Sequence, residues 1–126
     1  MGEAQNREAL ENILGQGRLM LSSDDEYELR APDFVLEMPQ SGERIVGRDR
    51  MRAMQEAFPN PPEGRVRRIS GSGDLFVIEL VNDYDGDVWH AAIIAEFSDG
   101  KLVRETRYYG QPFPAPEWRA AFVEAD

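Results

Sequence analysis

The pattern of apolar and polar positions changes period several times along the chain, and each change marks an element. From Glu3 to Leu21 the apolar residues Leu10, Ile13, Leu14, Met20 and Leu21 keep helical spacing. They predict a first helix, although Gly15 and Gly17 each cost about 1 kcal/mol relative to alanine. Ser23 followed by Glu26 has the form of a capping box, and Pro32 disfavours helix at Ala31, so a short second helix is expected from about Asp24 to Arg30. The period then drops to two. In "DFVLEMP" the residues Phe34, Leu36 and Met38 share one face, and the turn "QSGE" leads into a short strand "RIVG". "RDRMRAMQEAF" returns to helical spacing through Met51, Met54 and Phe58, and the prolines of "PNPPEG" end it. Four strands follow, at about 65–72, 75–83, 88–97 and 101–109, joined by "GSGD", "YDGD" and "SDG", whose residues tolerate positive φ.

Residue parity assigns faces to these strands. A two-residue loop at Asp85-Gly86 sets 82 opposite 89, 80 opposite 91 and 78 opposite 93. Phe76, Ile78, Leu80 and Asn82 then share a face with Trp89, Ala91, Ile93 and Ala95. For the last turn a three-residue loop, Ser98-Asp99-Gly100, with Gly100 in a left-handed bulge position, is expected to pair 93 with 105, 91 with 107 and 89 with 109. That register adds Glu105, Arg107 and Tyr109 to the apolar face. A two-residue loop at Asp99-Gly100 would instead turn Arg104, Thr106 and Tyr108 inward. The opposite face collects Val77, Glu79, Val81, His90, Ala92, Ile94, Glu96, Thr106 and Tyr108, too apolar a set for bulk water alone.

Helix, helix, strand, strand, helix and a four-strand meander make an antiparallel α+β domain with its helices on one face of a bent sheet. The segments "DFVLEMPQSGERIVGRD" and "IIAEFSDGKLVRETRYYGQPF", in that order of elements, resemble the SnoaL-like branch of the nuclear transport factor 2-like superfamily. The resemblance spans nearly all of residues 1–126, which read as a single domain. It implies a cone: a strongly curved antiparallel sheet wrapped around three N-terminal helices, with a pocket inside and the outer sheet face packed against a second copy. A homodimer is therefore expected. The pocket's expected ligand-binding residues are Met38, Phe76, Ile78, Leu80, Asn82, Trp89, Ala91 and Ile93, with Glu105, Arg107 and Tyr109 as its candidate catalytic groups. The chain departs from better-known relatives of that superfamily at three places. The ketosteroid isomerase branch has a basic aspartate where this chain has Met38, and a hydrogen-bonding acid where it has Ile93. Many SnoaL cyclases follow the aromatic pair with an aspartate, where this chain has Gly110.

Composition narrows the partners. The 126 residues carry 24 acids against 14 bases, a formal net charge of −10, so a nucleic-acid backbone or an anionic membrane meets a repulsive field. The basic clusters Arg48, Arg50, Arg52 and Arg65, Arg67, Arg68 read as solvated faces paired with acids such as Glu56. Without cysteine there is no disulfide, thiolate nucleophile or thiolate metal site, and a single histidine, His90, excludes a multi-histidine zinc site. The Asp83, Asp85, Asp87 run lacks the twelfth-position glutamate of a calcium loop and reads as a turn. No metal and no cofactor are expected. The N-terminal stretch is acidic with no signal-like apolar run, and no stretch of about 18 apolar residues suggests a membrane span, so a cytoplasmic location is the expectation.

Glu105 in an apolar pocket would have a raised pKa suited to general acid-base work, whereas Arg107 beside it would lower that pKa. Tyr109 offers a hydrogen bond to a carbonyl or oxyanion, and Trp89 a flat surface for a ring. His90 falls on the outer face. Aromatic residues of the tail, Phe113, Trp118 and Phe122, are expected over an open end of the cone or across a dimer seam. Three classes of function fit. The first is a binding module for a small apolar or aromatic molecule. The second is a cofactor-free lyase, hydrolase or isomerase of the dehydratase, epoxide hydrolase or isomerase type using a pocket carboxylate. The third is a structural or subunit-interaction protein.

Overall fold

A computed structural model describes residues 3–14, 24–59 and 61–124. Its elements are α1 (Glu3–Leu14), α2 (Asp24–Leu29), β1 (Arg30–Met38), β2 (Glu43–Val46), α3 (Arg48–Ala57), β3 (Glu63–Ser72), β4 (Leu75–Tyr84), β5 (Asp87–Ser98), β6 (Lys101–Gly110) and a short 3-10 helix, Glu117–Phe122. The expected continuation of the first helix to Leu21 and the Ser23 of the capping pair lie outside the described residues. Among those residues no helix is long and apolar enough to cross a membrane.

All six strands form one curved, unclosed sheet in the order β2-β1-β6-β5-β4-β3. Every neighbouring pair is antiparallel except β1 and β6, which run parallel. The up-and-down meander brings β6 back beside β1 pointing the same way, so an otherwise antiparallel sheet acquires one parallel seam. Helices α1, α2 and α3 lie on the concave side, over a core built from Leu10, Phe34, Leu36, Met51, Phe76, Phe97 and Leu102. Phe76 and Phe97 meet edge to face with centroids 6.0 Å apart, the arrangement their ring quadrupoles favour. Two polar side chains tie α1 to the sheet. Asn6 Nδ2 donates to Gly73 O and Asp74 Oδ1 in the β3–β4 turn, and the Arg7 guanidinium donates to Ile69 O and Gly71 O on β3.

The β4–β5 pairing matches the parity expectation, with Asn82 opposite Trp89, Leu80 opposite Ala91 and Ile78 opposite Ile93. The β5–β6 pairing does not. Its turn is the two-residue Asp99-Gly100, both at positive φ, and it sets Ala95 opposite Glu105, Ile93 opposite Arg107 and Ala91 opposite Tyr109. The expected partners were each displaced by two positions. A slip in the face of every β6 side chain is avoided by a bulge. Between Glu96–Arg104 and Phe97–Leu102 one extra residue, Val103, enters β6, so Leu102 and Glu105 both point inward though an odd number of positions apart. Turn and bulge together give the same faces as the bulged three-residue loop, by a different route.

Of the two placements expected for the tail aromatics, the one over the open end of the cone is not seen. Phe113, Trp118 and Phe122 are 75%, 73% and 82% exposed, so within one chain they cover neither the core nor the open end of the cone. The Asp83–Asp87 segment is a hairpin turn in which Asp83 Oδ1 accepts the Gly86 backbone N–H at 2.6 Å.

Candidate functional site

The concave face carries a cavity of about 650 Å³. Its wall is formed by Leu36 and Met38 of β1, Met54 of α3 with Phe58 just beyond it, Tyr84 at the end of β4, Trp89 of β5, and Arg107 and Tyr109 of β6. Gln40, Ser41, Glu43 and Asp87, all exposed, form its mouth. Period-two spacing on β1 and β6 and helical spacing on α3 aim these side chains at one space.

Behind Arg107 lies a buried polar chain. Arg107 Nη2 and Nε both donate to Glu105 Oε1, at 2.7 and 2.9 Å. Arg30 Nη2 reaches Glu105 Oε2 at 3.4 Å and Glu26 Oε1 at 2.6 Å, and Arg30 Nη1 donates to Gln55 Oε1 at 2.9 Å. Gln55 Nε2 closes the set by donating to Glu26 Oε1 at 2.9 Å. All five side chains are buried. The two acidic and two guanidinium side chains offset one another in formal charge, the condition under which such groups are accommodated in a low-dielectric interior.

The two opposing influences on Glu105 resolve in favour of the carboxylate. Burial pushes its pKa up, but the guanidinium groups of Arg107 and Arg30, with their hydrogen bonds, outweigh burial and hold it below the ordinary carboxylate value. Burial likewise pulls Arg107 down, yet the Glu105 carboxylate more than compensates, so Arg107 stays charged. Tyr84 is shifted upward by burial and by nearby Tyr109 and Asp87, which keeps its phenol protonated.

The residues expected at the site fall into three groups. Met38, Trp89, Arg107 and Tyr109 line the cavity. Ile78, Ile93 and Glu105 lie on the other side of Arg107, around a gap of about 30 Å³ beneath α1 and α2. Phe76, Leu80, Asn82 and Ala91 face inward in the buried core, outside the cavity wall. Asn82 Oδ1 is buried without a hydrogen-bond partner among the described residues, as is Arg30 Nε. Tyr109 is fixed through its backbone: the Gln40 side-chain amide donates to its carbonyl at 2.6 Å and accepts its N–H. His90 is exposed, opposite Val81, in an outer groove with Arg67, Glu79 and Tyr108.

Sequence reasoning missed Glu26, Arg30 and Gln55, the wall residues Leu36, Met54, Phe58 and Tyr84, and the mouth. Some signals were available. Arg30 shares parity with Phe34 and Leu36, Gln55 follows Met51 by one helical turn on the apolar stripe, and Glu26 precedes Arg30 by four. A charged or amide residue on a buried stripe announces a partner. The mouth residues carry no such signal, because exposed turn positions look alike in sequence.

Residues 23–105 match the model of the SnoaL-like domain. Among solved structures, an NTF-2 like protein of unknown function from Burkholderia xenovorans LB400 is 36% identical, with a TM-score of 0.82 over 98% of this chain and 96% of that one. A proposed ketosteroid isomerase from Kribbella flavida DSM 17836 is 21% identical, with a TM-score of 0.86 over 98% and 91%. An LEH-like epoxide hydrolase of M. tuberculosis is 17% identical, with a TM-score of 0.69 over 86% and 80%, a likeness of fold. No curated protein matches the chain.

Proposed function

The chain belongs to the SnoaL-like family, and from that premise we propose that it binds a small, largely apolar molecule in the concave cavity. The observation that carries this reading is the 650 Å³ cavity itself, walled by Leu36, Met38, Met54, Phe58 and Trp89, with polar contacts concentrated at Arg107 and Tyr109. Sites for small molecules combine that size, an apolar wall and a few placed polar groups. Leu36, Met38 and Met54 supply hydrophobic contact, Trp89 a face for a ring, and Arg107 and Tyr109 hydrogen-bond donors for an acceptor on the ligand. Glu105 serves this arrangement as a positioning residue: its carboxylate anchors Arg107 from behind the wall. A base drawn from Glu105 is disfavoured, because its carboxylate already accepts from Arg107 and Arg30 and is held in its weakly basic, ionised form.

Isothermal titration with 1-adamantanol, a compact apolar alcohol, tests the reading. Binding to the native protein and at least tenfold weaker binding to Met54→Trp, whose indole occupies the cavity, is the expected outcome. Absence of heat with the folded native protein, or equal affinity in both, contradicts it.

We further propose that two chains associate through the convex sheet face. Val77, Val81, Ala92 and Ile94 are only half-buried there, Tyr108 is 43% exposed, and the tail aromatics Phe113, Trp118 and Phe122 are exposed.

A further inference from the structure

Resting on the binding reading of the cavity, a second question is which charge the ligand carries. The cavity is polarised along its depth. Arg107 at the inner end is buried and charged, but Glu105 Oε1 lies 2.7 Å from it and offsets its field. The two carboxylates of the mouth, Glu43 and Asp87, are exposed, and among the described residues neither has a salt-bridge partner. Asp87 is held in place by its neighbour, since Trp89 Nε1 donates to Asp87 Oδ2 at 3.2 Å. Aromatic rings line the same space: Trp89, Tyr109, and Phe58 stacked on Tyr84 with centroids 6.3 Å apart.

An incoming carboxylate would pass two uncompensated negative charges on a chain of net charge −10, then compete with Glu105 for the guanidinium in a buried setting. An ammonium group meets the opposite conditions: carboxylates at the mouth and electron-rich ring faces beside them. We infer that the cavity takes an apolar-bodied amine in its protonated form, its hydrocarbon body against Leu36, Met38 and Met54 and its ammonium group at the mouth with Glu43 and Asp87.

Fluorescence provides the test. The chain has two tryptophans, and Trp118 is exposed on the tail, so Trp118→Phe leaves Trp89 in the cavity wall as the single reporter. That protein is titrated at pH 7 and low salt with 1-adamantanamine, 1-adamantanol and 1-adamantanecarboxylate, which share one body and differ in charge. The ammonium compound should bind about tenfold more tightly than the alcohol, the sum of two exposed ion pairs, and the carboxylate most weakly. Glu43→Gln with Asp87→Asn should bring the ammonium compound down to the affinity of the alcohol and leave the alcohol unchanged. Salt at about 0.5 M should shrink the preference in the native mouth. The inference is overturned if the alcohol equals the ammonium compound, if the carboxylate binds best, or if the preference survives the double substitution; in each case the apolar cavity remains a binding site. If none of the three perturbs Trp89, both the inference and the binding reading fall.

Discussion

At the scale of single residues, the fate of Glu105 is decided by its neighbours. A carboxyl buried to 5% exposure would ordinarily be protonated, but two guanidinium groups within hydrogen-bond reach reverse that outcome. Removing the charge takes from Arg30 and Arg107 the buried carboxylate they share, so Glu105→Gln should destabilise the fold by about 3–5 kcal/mol, measured by urea denaturation. A change within about 0.5 kcal/mol, the range of an unremarkable surface substitution, would show that the pair contributes little. The pH dependence has a definite sign. The folded pKa of Glu105 lies below its unfolded value of 4.5, so the unfolded chain binds more protons in the interval between them. Its contribution is complete above the unfolded value and is lost as pH falls through the depressed folded value. The native protein should therefore lose stability on acidification below about pH 4.5 more steeply than Glu105→Gln. Parallel profiles would contradict this assignment.

At the scale of elements, turn chemistry governs which face each strand presents. Gly71, at φ 128° just before the β3–β4 turn, has no room for a side chain: a Cβ there would lie 2.2 Å from Leu75 O. Gly71→Ala should cost about 2–4 kcal/mol in denaturation, since backbone on both sides of the hairpin must move. A cost below about 0.5 kcal/mol would show that the hairpin accommodates the methyl group. The same hairpins show what the sequence could reveal. The switches between helical and period-two spacing placed the start of α1 and the elements from α2 to β6 within a few residues, because those periods follow directly from backbone geometry, whereas the 3-10 helix of the tail was not among the expected elements. The register of β6 was not readable, since Asp99-Gly100 suits either loop length and nothing in "KLVRE" marks Val103 as the extra residue. Inward orientation of Glu105, Arg107 and Tyr109 was recovered because turn and bulge each shift parity once. The distinction between cavity and core along one face was not recoverable either: Leu80 and Trp89 share that face, yet Leu80 is buried in the core and Trp89 lines the cavity.

At the scale of the whole molecule, the sheet presents two unlike surfaces, a concave one with an open cavity and a convex one only partly covered. For the proposed dimer, sedimentation velocity should give twice the mass of the chain. Ile94→Glu, on the outward face of β5, should give a folded monomer, because a carboxylate in the apolar seam would be desolvated without a partner. A native monomer would remove the dimer and leave the cavity reading intact, since every lining residue comes from one chain. Nuclear Overhauser contacts between bound 1-adamantanol and the protein's methionine methyl groups and tryptophan rings would locate the ligand. Contacts to Met38, Met54 and Trp89 are expected. Contacts confined to the convex face beside His90 and Tyr108, or none at saturating ligand, would contradict the cavity reading.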